Sequence, residues 1–105
     1  MYYNTNNGIN NTAIGNSSMQ YNSYWAASSN NSAFGHSSLF YNLQSSNNNS
    51  AFGYGSLRYK WSLSSNNTAF GYNSLYGNFV TSSNSTAFGY NSLYGNTTGN
   101  NDVAL

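Results

Sequence analysis

Apolar residues in this chain come in short clusters, and the clusters return at a fixed interval. The run Ser/Thr-Ala-Phe/Ile-Gly begins at Thr12, Ser32, Ser50, Thr68 and Thr86, so its steps are 20, 18, 18 and 18 residues. Around two copies the match is longer: Thr68-Ala69-Phe70-Gly71-Tyr72-Asn73-Ser74-Leu75-Tyr76-Gly77-Asn78 is repeated letter for letter from Thr86 to Asn96. Five copies in 105 residues leave no room for another architecture. A period of this length marks a repeat protein, whose units bury their apolar faces only by stacking on one another.

Each copy is too short for a helix, rich in β-favouring residues, and bounded by Asn/Ser clusters and Gly. Ser/Thr-Ala-Phe-Gly-Tyr therefore reads as a strand. A second short strand is expected around Ser74-Leu75-Tyr76, Ser56-Leu57-Arg58 and Ser38-Leu39-Phe40, with Gly-Tyr-Asn-Ser as the bend between them. The fold expected is all-β: a parallel β-solenoid, or β-roll, of about five 18-residue coils. At about 4.8 Å per coil, the roughly five and a half coils that the partial ends complete would stand about 26 Å tall. In repeat register the chain divides into a partial unit at 1–11, units at 12–31, 32–49, 50–67, 68–85 and 86–102, and the start of another at 103–105. The two extra residues of the first unit fall most simply in Tyr24-Trp25-Ala26-Ala27.

Neighbours in a strand face opposite ways, so Ala69 and Phe70 cannot share a face. One row (Ala13, Ala33, Ala51, Ala69, Ala87) is uniformly small, and the other (Ile14, Phe34, Phe52, Phe70, Phe88) is uniformly large and apolar. Spacing alone leaves open which row faces inward. If the Ala row does, opposed by Met19, Leu39, Leu57, Leu75 and Leu93, then Ile14, Phe34, Phe52, Phe70 and Phe88 form an outward apolar stripe that a second chain must cover. Asn11, Asn31, Asn49 and Asn67, with Ser85, would stack at one corner, where side-chain amides can bond up the column. Asn also tolerates the left-handed backbone of a turn.

Composition narrows the chemistry. Charged residues make up 3% of the chain and the formal net charge is +1, which offers no electrostatic footprint for nucleic acid and no basic surface for anionic lipid. There is no cysteine, hence no disulfide framework or thiolate metal site. The N-terminal residues lack the pattern of a secretory signal, and no apolar run is long enough to span a membrane. Asp102 is the only acid and His36 the only imidazole, so neither a carboxylate pair nor a catalytic dyad is available. No catalytic, cofactor or metal residues are assigned and no cofactor is expected; the chain reads as a non-enzyme. His36 holds the place of Tyr54, Tyr72 and Tyr90 and reads as one member of a surface row. Arg58 and Lys60, flanking Tyr59, read as a solvated face. Asn-x-Ser/Thr sequons occur at Asn10, Asn16, Asn30, Asn48, Asn66, Asn84 and Asn96, and in so Asn-, Ser- and Thr-rich a sequence most are expected by chance.

Asn67-Thr68-Ala69-Phe70-Gly71 and Asn11-Thr12-Ala13-Ile14-Gly15 resemble the head repeats of YadA-like trimeric autotransporter adhesins, also called haemagglutinin-like repeats. The longer period and the Asn96-Thr97-Thr98-Gly99-Asn100-Asn101 connector look like the form found in tail-fibre-like and other surface proteins of phages, bacteria and large viruses. The resemblance implies a left-handed roll, three chains side by side about an axis, and a rigid adhesive or spacer role. The adhesin heads have a shorter period and an aliphatic residue where this chain has Phe.

The function expected is thus a structural, fibre-forming or adhesive segment of a surface fibre, spike or filament, extracellular or on a virion. Its partners would be copies of itself, as a homotrimer or end to end, the chain opening and closing in mid-repeat. The alternatives are a glycan- or receptor-binding module using Trp25, Trp61 and Phe79 beside Tyr24, and a functional amyloid of identical stacked chains. Ice binding is a further reading, on the mixed Ser/Thr column.

Overall fold

The computed structural model describes residues 3–4, 8–23, 25–60, 63–78 and 81–105. Among them there is no helix, and eleven short strands run in chain order: β1 (Tyr3–Asn4), β2 (Thr12–Ile14), β3 (Tyr21–Asn22), β4 (Ser32–Phe34), β5 (Tyr41–Asn42), β6 (Ser50–Phe52), β7 (Tyr59–Lys60), β8 (Thr68–Phe70), β9 (Gly77–Asn78), β10 (Thr86–Phe88) and β11 (Val103–Ala104). As far as β10, alternate strands join the same sheet, and β11 pairs with β10. One sheet has the order β1-β3-β5-β7-β9 and the other β11-β10-β8-β6-β4-β2, all parallel. Each strand pairs with its counterpart one repeat away, so the chain is a β-solenoid of about five coils. Ala33 lies against Ala51, Ala51 against Ala69 and Ala69 against Ala87, with Phe34, Phe52, Phe70 and Phe88 in the same vertical order.

The register also locates the longer first coil. Tyr21 pairs with Tyr41, twenty residues on, while the Ser46 amide donates to the Ser28 hydroxyl, eighteen on. The two extra residues therefore lie between Asn22 and Ser28. At the other end Val103 pairs with Thr86 and Ala104 with Ala87, so Val103-Ala104-Leu105 takes the place of Thr-Ala-Phe.

The Ala row faces inward. Ala33, Ala51, Ala69 and Ala87 are fully buried and pack with Met19, Leu39, Leu57 and Leu75, which are fully buried too. Methyl groups on one sheet meet the longer Met and Leu side chains from the corner, and together they make the apolar part of the interior.

The expected second strand is displaced. Ser38-Leu39-Phe40, Ser56-Leu57-Arg58 and Ser74-Leu75-Tyr76 belong to the corner, and the strand begins directly after each. In the fourth coil the corner alternates positive φ at Gly71 (135°), Asn73 (51°) and Leu75 (47°), and the other full coils repeat this with Gly, Ser or Asn at the middle place. Glycine is required at the first position on two counts. Its φ lies where L side chains are strained, and a Cβ on Gly53 would meet the Gly71 carbonyl oxygen at 2.5 Å. The serine before each leucine donates its hydroxyl to that glycine carbonyl: Ser38 to Gly35 at 3.0 Å, Ser56 to Gly53 at 3.1 Å, Ser74 to Gly71 at 3.3 Å. A leucine in the left-handed region costs roughly 1–2 kcal/mol. Burying its side chain stabilises by about 1.5–3 kcal/mol, so burial wins and the corner holds.

Apart from Leu43, the other buried side chains are polar, and those of the Asn corner column are hydrogen-bonded from coil to coil. The Asn31 side-chain oxygen accepts from the backbone N–H of Asn49 at 2.9 Å and from its Nδ2 at 3.0 Å. Asn49 does the same for Asn67 at 3.0 and 3.2 Å. Each Nδ2 also donates across the coil, from Asn31 to the Ser46 carbonyl and from Asn67 to the Ser82 carbonyl. The ladder expected at Asn11, Asn31, Asn49 and Asn67 is present; the left-handed residue is the asparagine one place earlier, at Asn10, Asn30, Asn48, Asn66 and Asn84.

Candidate interaction surface

With Ala turned inward, strand alternation puts Ile14, Phe34, Phe52, Phe70 and Phe88 on the outside of the solenoid. Phe34 and Phe52 are half-buried, whereas Ile14 is 58% exposed, Phe70 48% and Phe88 54%. The rings lie one above another. Centroids are 4.9 Å apart for Phe34 and Phe52, 5.5 Å for Phe52 and Phe70, and 4.9 Å for Phe70 and Phe88, with planes inclined by 3°, 28° and 5°. Val103 and Leu105 continue the outer face at 71% and 95% exposure. Stacking each ring on its neighbours contributes about 0.5–1.5 kcal/mol per pair. It leaves the outer edges of the rings in water as a continuous apolar stripe.

A second outward column runs past the glycine corner. His36 stacks on Tyr54 at 5.1 Å, Tyr54 on Tyr72 at 5.0 Å and Tyr72 on Tyr90 at 5.3 Å. His36 is therefore a member of a surface row, its Nδ1 bonded to the Ser37 hydroxyl at 3.0 Å. On the other sheet Tyr21, Tyr41 and Tyr59 form a third column at 5.0 and 5.3 Å.

Of the aromatics proposed to meet a glycan, Trp25 is 57% exposed in the lengthened turn of the first coil, with its backbone N–H bonded to the Leu43 carbonyl. Trp61, Phe79 and Tyr24 lie outside the described residues.

The expected solvated pair, Arg58 and Lys60, is overturned. The Arg58 guanidinium lies over the rings of Phe40, Tyr59 and Tyr76 at 5.4, 5.5 and 5.8 Å, continuing an aromatic column as a cation–π member. Lys60 is fully buried, and its Nζ has no hydrogen-bond partner. The physical reason is again alternation: Tyr59 faces out, so Lys60 must face in. It occupies the inward column of Asn22 and Asn42. Asn42 donates to the Asn22 side-chain oxygen at 2.7 Å, but its own Oδ1 is unpartnered, the Lys60 Nζ of the next coil making no bond to it. Burial pushes the Lys60 amine well below its ordinary value of 10.5. The signal was in the sequence, since Lys60 stands eighteen places from both Asn42 and Asn78.

Among the described residues no group of three His, Cys, Asp or Glu side chains could hold a metal ion. Asp102 closes the last loop, its Oδ2 accepting from Asn96 Nδ2 at 3.0 Å while Asn96 Oδ1 accepts the Gly99 amide at 3.2 Å. No helix is long and apolar enough to cross a membrane among these residues.

No family model matches the chain, and nothing similar is found among curated proteins or solved structures. The functional reading therefore rests on surface chemistry.

Proposed function

We propose that this chain is a structural segment of a fibre, spike or filament on a cell or virion surface, a rigid solenoid whose outward apolar ladder is buried between copies of the chain. The observation that carries the reading is the stripe of Ile14, Phe34, Phe52, Phe70 and Phe88, in line and exposed at both ends. Free solenoid monomers avoid such a stripe. The interior supports it as well: every coil is tied to the next by backbone ladders and the Asn column, giving a stiff rod built to transmit position.

Three chains about one axis, and a left-handed coil, are the arrangement implied by the likeness to YadA-like head repeats; end-to-end stacking of coils would extend the rod. In this reading the chain is not an enzyme, needs no cofactor, and engages neither nucleic acid nor the bilayer interior. Negative-stain imaging of the purified chain tests it. Slender rods or filaments several chains thick are expected, and single compact particles at every concentration would overturn it.

A second reading, a module that binds surface glycans, is favoured by the exposure of Trp25. Binding on a glycan array that is lost in Trp25→Ala supports it, and no binding by the wild-type chain ends it. A functional amyloid is less well supported, because the parallel ladder here joins successive coils of one chain.

A further inference from the structure

The chain has eleven tyrosines and no cysteine, so no disulfide can tie one coil to the next. Its tyrosines, however, are stacked in register. In the outward column Tyr54 and Tyr72 are 5.0 Å apart with planes inclined by 8°, and Tyr72 and Tyr90 5.3 Å apart with planes inclined by 12°. Tyr76 and Tyr94 form a second pair at 4.8 Å and 3°. The third column, Tyr21, Tyr41 and Tyr59, is less exposed.

We infer that Tyr72 and Tyr90 are a site of oxidative coupling, joined as dityrosine by a peroxide-driven one-electron oxidant so that the fourth coil is covalently tied to the fifth. Each phenol gives up one electron and one proton to become a phenoxyl radical. The two radicals combine through ring carbons ortho to oxygen, and the ortho hydrogens move to the oxygens as the rings regain aromaticity. Two tyrosines thus lose two electrons and two protons in all, and one hydrogen peroxide takes them up to become two waters.

Two features select this pair. Tyr90, at 75%, is the most exposed described tyrosine, and Tyr72 is 46% exposed, so an external oxidant reaches both. Parallel stacking at 5.3 Å holds the rings beside one another but not at bonding distance, so one ring must swing aside to meet the other edge to edge. The exposed Tyr90 has the room to do so. Holding the second phenol next to the first radical gives coupling the advantage of an intramolecular reaction over diffusion-limited pairing between chains. The inference does not depend on the fibre reading, since the bond lies within one chain.

The test is to treat the dilute full-length chain with a haem peroxidase and hydrogen peroxide. The products are read by intact mass, dityrosine fluorescence and peptide mapping. The expected product is a monomer lighter by two hydrogens, with Tyr72–Tyr90 the most abundant link, followed by links within the same columns. Tyr90→Phe keeps the ring stack but removes the phenol; it should abolish that link, while Tyr94→Phe leaves it intact. The inference is overturned if free tyrosine in the same mixture couples while the chain gives no lighter monomer. Links joining tyrosines of different columns, dimers alone, or the same link pattern in concentrated urea would overturn it equally.

Discussion

Two neighbouring residues of β8 meet opposite fates. Ala69 is fully buried, while Phe70, one bond further along, is 48% exposed. The same holds in β10, where Ala87 is buried and Phe88 is 54% exposed. The smallest apolar side chain is inside, packed against the leucines. The largest is outside, where a single coil gains little from it. The inner face builds the solenoid, and the outer face, in the reading proposed above, is the one that a second chain covers. Changes to the two faces should therefore separate stability from association.

The largest loss of stability is expected where the faces meet. Gly53→Ala drives a Cβ into the Gly71 carbonyl at a φ of 123°; unfolding in urea should show about 3 kcal/mol lost, the strain and the clash adding. Next is the inner face. Ala51→Leu should overpack the interior by about 2–3 kcal/mol, and a variant as stable as wild type would mean the Ala row does not set the sheet spacing. Asn49→Ala removes the oxygen that accepts the Asn67 backbone N–H and Nδ2, and the side-chain donor to the Asn31 oxygen, which keeps only the backbone N–H of residue 49, at a cost of about 2 kcal/mol.

Lys60→Asn should act in the other direction. It restores the amide column and gives Asn42 Oδ1 a donor, with a gain of about 1 kcal/mol at neutral pH. The sign with pH follows from burial. The folded-state amine binds its proton less readily than the unfolded one, so between its lowered value and the ordinary 10.5 the unfolded chain holds more protons. Stability of the wild type should accordingly rise as pH increases through that window and fall as pH drops. Chemical denaturation at several pH values should show this slope in the wild type and a flatter profile in Lys60→Asn. The smallest loss on the isolated chain is expected on the outer face: Phe70→Ser removes two stacked ring pairs, each at the low end of its range because the rings are half in water, and should cost about 1 kcal/mol at high dilution.

How much of this was legible in the sequence depended on whether a residue type carries one meaning. The eighteen-residue step set the stacking register, because equal letters at equal intervals can share a ladder only if coils are equal. The Asn corner was legible for the same reason. The choice between the Ala and Phe rows was not, since alternation fixes that they differ but not which is inside; the thickness of the interior decides it. The displaced second strand has a different cause. Leu39, Leu57 and Leu75 look like strand residues, and nothing local announces that a bulky side chain will take a left-handed backbone to reach the core. Lys60 misled because its charge suggested water, whereas its place in the Asn column outweighed its chemistry. The outer face was legible as a row of residues, but which face that row takes was not.

The account turns on whether that row is covered by another chain, and sedimentation velocity over a wide concentration range reads this most directly. The wild-type chain should sediment as an oligomer, and a Phe52→Ser/Phe70→Ser double variant, still folded by circular dichroism, as a monomer. A wild-type chain that remains a monomer at every concentration, or a double variant that assembles as well as the wild type, would contradict it.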